Sequence, residues 1–139
     1  MALEQGLVSL IQSGTNNLAP GGFMGAIPEA YAVTAQNPKV WVFHTILDVP
    51  TIAFEGADAL CEAEIQIDCH GYTADDAVAL AAAVKAALSG VGNPVTLTDP
   101  DKTVVQGIFR RSPHVDGYSD ANHTYVRSLE YLVAYYDQQ

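Results

Sequence analysis

A strict alternation of apolar and polar residues marks the clearest element of the chain, a strand predicted over residues 60–70. Its odd positions are small or apolar, and its even positions from 62 onward are polar: Glu62, Glu64, Gln66, Asp68 and His70. Successive side chains of a strand point to opposite faces, so this pattern predicts one buried and one solvated face. β-Branched and aromatic residues over 39–49 predict a second strong strand, which Pro50 ends.

A helical period replaces this alternation over residues 74–88. Apolar residues recur there at spacings of three and four, Thr73 is placed to cap the first turn, and Asp75 and Asp76 lie where acids favour the helix dipole. A second amphipathic helix is predicted over residues 2–13. Its apolar face carries Leu3, Leu7, Leu10 and Ile11.

The remaining pattern consists of shorter strands and their connections. Further strands are predicted over 30–36, 95–97, 104–111 and 124–136. The intervening stretches 15–28, 50–59 and 112–122 contain Gly, Pro, Asn, Asp or Ser and are predicted as loops or turns. This order predicts an α+β fold in one domain over residues 1–139. An antiparallel-rich sheet would carry the N-terminal helix and one central amphipathic helix on one face.

The net charge of the chain argues against two classes of binding partner, nucleic acids and acidic membrane surfaces. Six basic residues stand against sixteen acidic ones, a net charge of −10, and only Arg110 and Arg111 are adjacent. Binding to phosphates or to an acidic membrane surface needs clustered Lys or Arg, so neither is expected. No apolar run approaches the roughly 18 residues of a membrane span. Because the first residues lack the basic region of a signal peptide, we expect synthesis in the cytosol.

The cysteines and histidines offer little recognisable chemistry. Cys61 and Cys69 would lie about 26 Å apart on one strand, which is too far for a disulfide, so both are expected to be small buried hydrophobes. His70 should face away from Cys69 on that strand, so one metal cannot easily take both. His44 has no visible acid–base partner and is expected in the core or at an interface.

The most ligand-like cluster lies between His114 and His123. It contains His114, Asp116, Asp120 and His123, which could in principle hold zinc or a hard cation. Their spacing matches no known metal site, and such residues are typical of a solvated turn. The motifs of hydrolases, P-loops and dinucleotide sites are missing from the sequence. We therefore expect no catalytic residue, no bound metal and no cofactor.

A family resemblance rests on the alternating strand and the helix after it. The segment CEAEIQIDC at 61–69, then Tyr72-Thr73 and an Ala-rich helix ending in ALSG at 87–90, resembles short phage proteins known as tail-completion or head–tail joining proteins. Ile27-Pro28 before the first strands, VVQGI at 104–108 and the terminal strand RSLEYLVAYY at 127–136 are similar in order. The family is itself similar to tail-terminator proteins, which form six-membered rings capping the tail tube, and it has no known catalytic residues.

This resemblance implies a structural protein of a tailed phage or prophage. The chain would join head and tail or terminate the tail tube as a homo-oligomeric ring, a hexamer on assembly. Its partners would be the tail-tube and head connector proteins. The protein would assemble in the host cytoplasm and then reside in the tail or neck of the virion. DNA could pass through the ring without specific binding. Candidate lumen-facing acids are Glu62, Glu64 and Asp68. Candidate subunit-interface residues are Tyr125, Tyr131, Tyr135 and Tyr136, although alternation equally favours a core position for most of them.

Two other classes of function stay open at the level of sequence. One is a small ligand- or metal-binding domain or enzyme that uses the region from His114 to His123. The other is an adaptor or immunity-type protein whose acidic surface mimics nucleic acid, with a basic partner whose binding salt would weaken. A closed ring in solution would distinguish the phage joint from both.

Overall fold

A computed structural model describes residues 2–15, 22–25, 27, 33–36, 38–50, 58–89, 95–97, 104–111 and 113–138. These ranges contain two helices, α1 (Ala2–Thr15) and α2 (Ala74–Ser89). They also contain the strands β1 (Gly22–Met24), β2 (Lys39–Pro50), β3 (Asp58–Gly71), β4 (Val95–Thr96), β5 (Val104–Arg110), β6 (Val115–Ser119) and β7 (Thr124–Gln138). None of the helices in these ranges could span a membrane.

The strands join into one sheet with β3 and β7 at its centre. Across the described ranges the order is β1-β2-β3-β7-β5-β4, and β6 pairs with the part of β7 that β5 does not reach. All pairs are antiparallel except β1 with β2. The α+β prediction of an antiparallel-rich sheet with two helices is therefore confirmed.

The two helices lie together on one face of the sheet, and the core fills the space between. α2 turns Ala77, Leu80, Ala81, Val84 and Leu88 inward, and α1 contributes Leu3, Leu7 and Ile11. A reciprocal pair of bonds starts α2: Thr73 Oγ1 accepts from the backbone nitrogen of Asp76 at 3.2 Å, and the Asp76 carboxylate accepts from that of Thr73 at 3.1 Å. This capping box satisfies backbone donors at the helix start, as the predicted Thr73 cap requires.

Strand β3 has the two-faced character that its alternation predicts. Cys61, Ala63, Ile65, Ile67 and Cys69 all point to the helices and are buried. Neither thiol forms a disulfide, and burial raises the pKa of Cys69, with the Asp68 carboxylate adding to the effect. Trp41 and Phe43 of β2 continue this covered face, because they pair with Cys69 and Ile67. Small and large side chains thus interdigitate beneath α2.

The segment before β2 differs from the prediction. The predicted loop 15–28 contains β1, and residues 33–36 of the predicted strand 30–36 form no strand, while residues 30–32 lie outside the described ranges. β1 is held by its parallel register with β2, in which Gly22 pairs with Trp41. A Cβ at Gly22 would overlap the Trp41 ring, so glycine permits this close approach. Three residues are too few to show any periodicity in sequence.

The predicted turn at 112–122 is also wrong in part, because it contains β6. The turn itself is shorter and runs from Asp120 to His123, whose φ of 54° is left-handed. β6 is exposed along almost its whole length and carries Asp116 and Gly117, which favour turns in sequence. Pairing with the much longer β7 fixes β6 as a strand despite its low intrinsic preference.

Candidate functional site

The sheet face opposite α1 and α2, here called the open face, centres on the Asp68 carboxylate. Gln66 Nε2 donates to Asp68 Oδ1 at 2.7 Å, Ser128 Oγ donates to the same oxygen at 2.6 Å, and His44 Nε2 lies 3.1 Å from Oδ2. The sheet register creates this cluster, because Ser128 pairs with Asp68 across β7 and His44 pairs with Gln66 across β2. His44 therefore has an acidic partner that sequence analysis missed.

The order of these groups decides what they can do chemically. In a Ser-His-Asp hydrolase the imidazole lies between hydroxyl and carboxylate, so that it can take the serine proton. Here the carboxylate of Asp68 lies between His44 and Ser128, and the serine hydroxyl donates directly to it. The arrangement therefore differs from that of a Ser-His-Asp triad, in which the imidazole activates the serine. The cluster ties β2, β3 and β7 together.

The three predicted lumen-facing acids do share the open face, but their surroundings differ. Asp68 is held by the donors described above, and Glu64 forms an ion pair with Arg111. Glu62 is exposed. Two of the three carboxylates are therefore engaged within the chain, and the open face carries less free negative charge than its sequence suggests.

One end of the open face is closed to solvent, and His70 lies there. Its Nδ1 is 2.8 Å from Thr124 Oγ1, and both residues are buried beside Val40 and Val42. Burial lowers the pKa of His70, although the Asp68 charge opposes this shift. The imidazole is thus kept neutral by its surroundings. Cys69 faces the opposite side of the sheet, as alternation predicts.

The predicted ligand cluster between His114 and His123 does not converge. His114 Nε2 lies 3.8 Å from Asp116 Oδ2, but Arg127 donates to both carboxylate oxygens of Asp116 at 2.8 and 3.1 Å. This guanidinium lowers the pKa of Asp116. Asp120 and His123 belong to the turn. Among the described residues, no three His, Cys, Asp or Glu side chains come together as a metal site.

The four candidate interface tyrosines separate into different environments. Tyr131 and Tyr135 are only 4% and 5% exposed and lie in the core, one of the two placements that their alternation allowed. Tyr125 is 44% exposed, because it lies on β7 beyond the core cluster. The side chain of Tyr136 lies outside what the structure describes.

Tyr125 belongs to the exposed edge of the β6–β7 hairpin, which we call the hairpin edge and define by Val115, Tyr118 and Tyr125. The strand register places Tyr118 and Tyr125 on the helix side of this edge and Val115 on its open-face side. The two tyrosine rings meet edge to face, with centroids 5.1 Å apart and an interplanar angle of 72°. A shallow cavity of about 150 Å³ beside Tyr125 reaches Ala74, Ala77 and Val78 of α2. Sequence analysis missed Val115 and Tyr118. The available signal was a Tyr on either side of the short Asp- and Asn-containing turn, which is typical of a hairpin.

Comparison with known proteins gives a likeness to solved structures. Neither protein-family models nor curated proteins match the chain. A chain in the solved structure of the virion of a native gene transfer agent (GTA) particle has the same fold, with a TM-score of 0.58 and 14% sequence identity. The alignment covers 98% of the present chain and 92% of that chain. At this identity the likeness establishes the shared fold.

Proposed function

We propose that this chain is a structural protein of a phage-like virion, and that it works as a ring at the head–tail joint or the end of the tail tube. The observation that carries the proposal is the fold shared with a virion component over nearly the whole of both chains. A match of that extent supports one domain over all 139 residues. The family resemblance of residues 61–90 adds the joint and the ring to it.

The chemistry of the candidate site supports a structural role. The Asp68 cluster holds β2, β3 and β7 to each other, and its serine donates to a carboxylate instead of to an imidazole. The Asp116 carboxylate is held by Arg127. Both carboxylates are thus engaged in fixing neighbouring strands to each other. A sheet whose strands are joined by side-chain hydrogen bonds as well as by their backbones is suited to a structural component of a particle.

In the proposed ring the open face lines the lumen and the helices lie outside. The acids on that face, Glu62, Glu64 and Asp68, would then face passing DNA, with Glu62 contributing most because the other two are engaged. Like charge keeps the DNA backbone from binding the wall. The proposed partners are further copies of the chain, the tail-tube protein and the head connector proteins.

Size measurement tests the ring. Sedimentation and negative-stain microscopy at rising protein concentration, with and without the tail-tube protein, should show a closed ring of about six copies. A tight two-fold dimer under every condition would contradict the proposal. Removing the gene from its phage or prophage should leave heads and tails that fail to join, or tails of uncontrolled length.

Charge reversal tests the lumen. Particles assembled with Glu62→Lys should eject DNA more slowly, and the delay should be larger at low salt, where screening is weak. Asp75→Lys is the matched control, because Asp75 is equally an exposed acid but lies on the helix side. Equal ejection rates for the two variants would remove Glu62 from the lumen.

A further inference from the structure

The hairpin edge lacks the features that normally protect a sheet edge. β6 is hydrogen-bonded to β7, and no other strand in the described ranges pairs with it. Val115 is 66% exposed and Tyr118 52% exposed, and β6 contains neither Lys nor Pro. Its one charge, Asp116, is neutralised by Arg127. Soluble proteins usually guard such edges with charge, Pro or a covering element, so this edge is suited to a partner.

Charge is distributed unevenly between this edge and the rest of the molecule. Residues 104–131 carry three arginines and three acids, so their charges balance, and the surplus of ten negative charges lies on the rest of the chain. Lys85 of α2 lies close enough to this region for Arg110 and Arg127 to reinforce the lowering of its pKa by burial. Around Lys85 the two arginines, Arg110 and Arg127, outnumber the one carboxylate, Asp116, so two hairpin edges facing each other would bring two clusters of net positive charge together. An acidic surface of another copy suits them better.

The opposite edge of the sheet offers such a surface. β1 is paired with β2 alone in the described ranges, and Met24 is 50% exposed. A groove of about 270 Å³ between α1 and β1 is lined by Glu4, Gln5, Val8 and Met24. It combines apolar walls with a carboxylate that can accept from a tyrosine hydroxyl or an arginine. We call it the α1–β1 groove.

We infer that a second copy of this chain binds here head to tail, with the hairpin edge of one copy docked in the α1–β1 groove of the next. Aromatic rings with polar tips fit a partly apolar groove that ends in an acid. Because the two surfaces lie at opposite edges of one sheet, each copy keeps one of each free for another neighbour. Such a contact closes into a ring when the rotation allows. The inference rests on the proposed ring and names its interface.

Mixing two variants tests the inference. Tyr118→Ser should damage the hairpin edge, and Met24→Glu should damage the groove by placing a second acid beside Glu4. Each alone should weaken self-association about tenfold or more, as expected for a central aromatic or apolar contact. An equimolar mixture keeps one intact interface, between the hairpin edge of the Met24 variant and the groove of the Tyr118 variant. It should therefore give heterodimers that grow no further.

Three controls make the result decisive. Phe109→Ser changes a ring on β5 that is 53% exposed and belongs neither to the residues that define the hairpin edge nor to those that line the groove, and it should assemble as the unmodified chain does. Tyr118→Phe keeps the ring and tests the hydroxyl alone, and circular dichroism confirms that each variant is folded. Assembly of the Met24 variant with unchanged affinity, while the Tyr118 variant fails, would indicate a two-fold edge contact and overturn the inference. Rings unaffected by either variant would overturn the interface but leave the ring, whereas an unmodified chain that stays monomeric would overturn both.

Discussion

The two faces of β3 share one backbone but are stabilised in different ways. On the covered face, Ile65 and Ile67 are removed from water and packed beneath helices, so volume and shape determine the outcome. On the open face, Gln66 and Asp68 are partly exposed: Gln66 donates to Asp68 on the same strand, and Asp68 is held by Ser128 of the neighbouring strand β7. The covered face should therefore respond to a change of size, and the open face to a change of hydrogen-bonding group.

The largest expected effect is on the covered face. Ile67→Ala should lower the free energy of unfolding by about 2–5 kcal/mol, because it removes buried methylene groups and leaves a cavity. Gln66→Ala, one residue away on the open face, should lower it much less. Urea denaturation of both variants measures the difference. Equal losses of unfolding free energy in the two variants would mean that the two faces contribute equally to stability.

Gly71 tests how little room the covered face leaves at its end. A Cβ there would overlap the backbone nitrogen of Ala77 and come within 2.7 Å of the Thr73 carbonyl oxygen, and neither atom belongs to a movable side chain. Gly71→Ala should therefore cost about 1–3 kcal/mol by overpacking. Gly117→Ala is the control, because its Cβ would meet nothing within 4 Å. Thermal melts in which both variants behave alike would contradict the close approach.

Substitution of Asp68 tests how much the hydrogen bonds of the open face contribute to stability. Asp68→Ala leaves His44, Gln66 and Ser128 without their shared acceptor and should cost about 1–2 kcal/mol, since these side chains can turn to water. Asp68→Asn keeps the shape and should cost less. A loss as large as that of Ile67→Ala, measured under the same denaturant, would show that the open face is packed rather than hydrogen-bonded.

The smallest effect concerns His70, which is buried at one end of the open face. Its pKa in the folded chain is lowered from an ordinary value of 6.5, so the unfolded chain binds the proton more readily. The corresponding stability is fully present above pH 6.5 and is lost as the pH falls through the lowered pKa. Unfolding free energies between about pH 7 and 5 should fall less steeply in His70→Gln. Parallel curves for the two proteins would assign the pH dependence to other groups.

Sequence predicted the elements that depend on neighbours along the chain. The alternation of β3, the Thr73 cap and the apolar stripe of α2 are local patterns, and the structure confirms each. β1 and β6 were missed because their partners hold them in place: β1 has three residues, and β6 contains turn-forming residues. Elements of that kind exist through pairing with distant strands and carry little signal of their own.

The candidate site was less accessible to sequence for the same reason. His44 and Asp68 are 24 residues apart and meet through the register of β2 with β3, which shifts between Thr45 and Leu47. A shift of one residue exchanges the faces of a strand, so such a contact cannot be derived from alternation alone. The separate register of β3 with β7 places Ser128 opposite Asp68.

The burial of both thiols has a practical consequence for monitoring assembly. A thiol reacts as its thiolate, and Cys61 and Cys69 lie in the core, where burial also raises the pKa of Cys69. A maleimide dye should therefore leave the folded chain nearly unlabelled. One cysteine introduced at an exposed position would then carry the fluorophore without removal of the native pair. The rate at which Cys61 and Cys69 are labelled in dilute urea would then report how often the helices separate from the sheet.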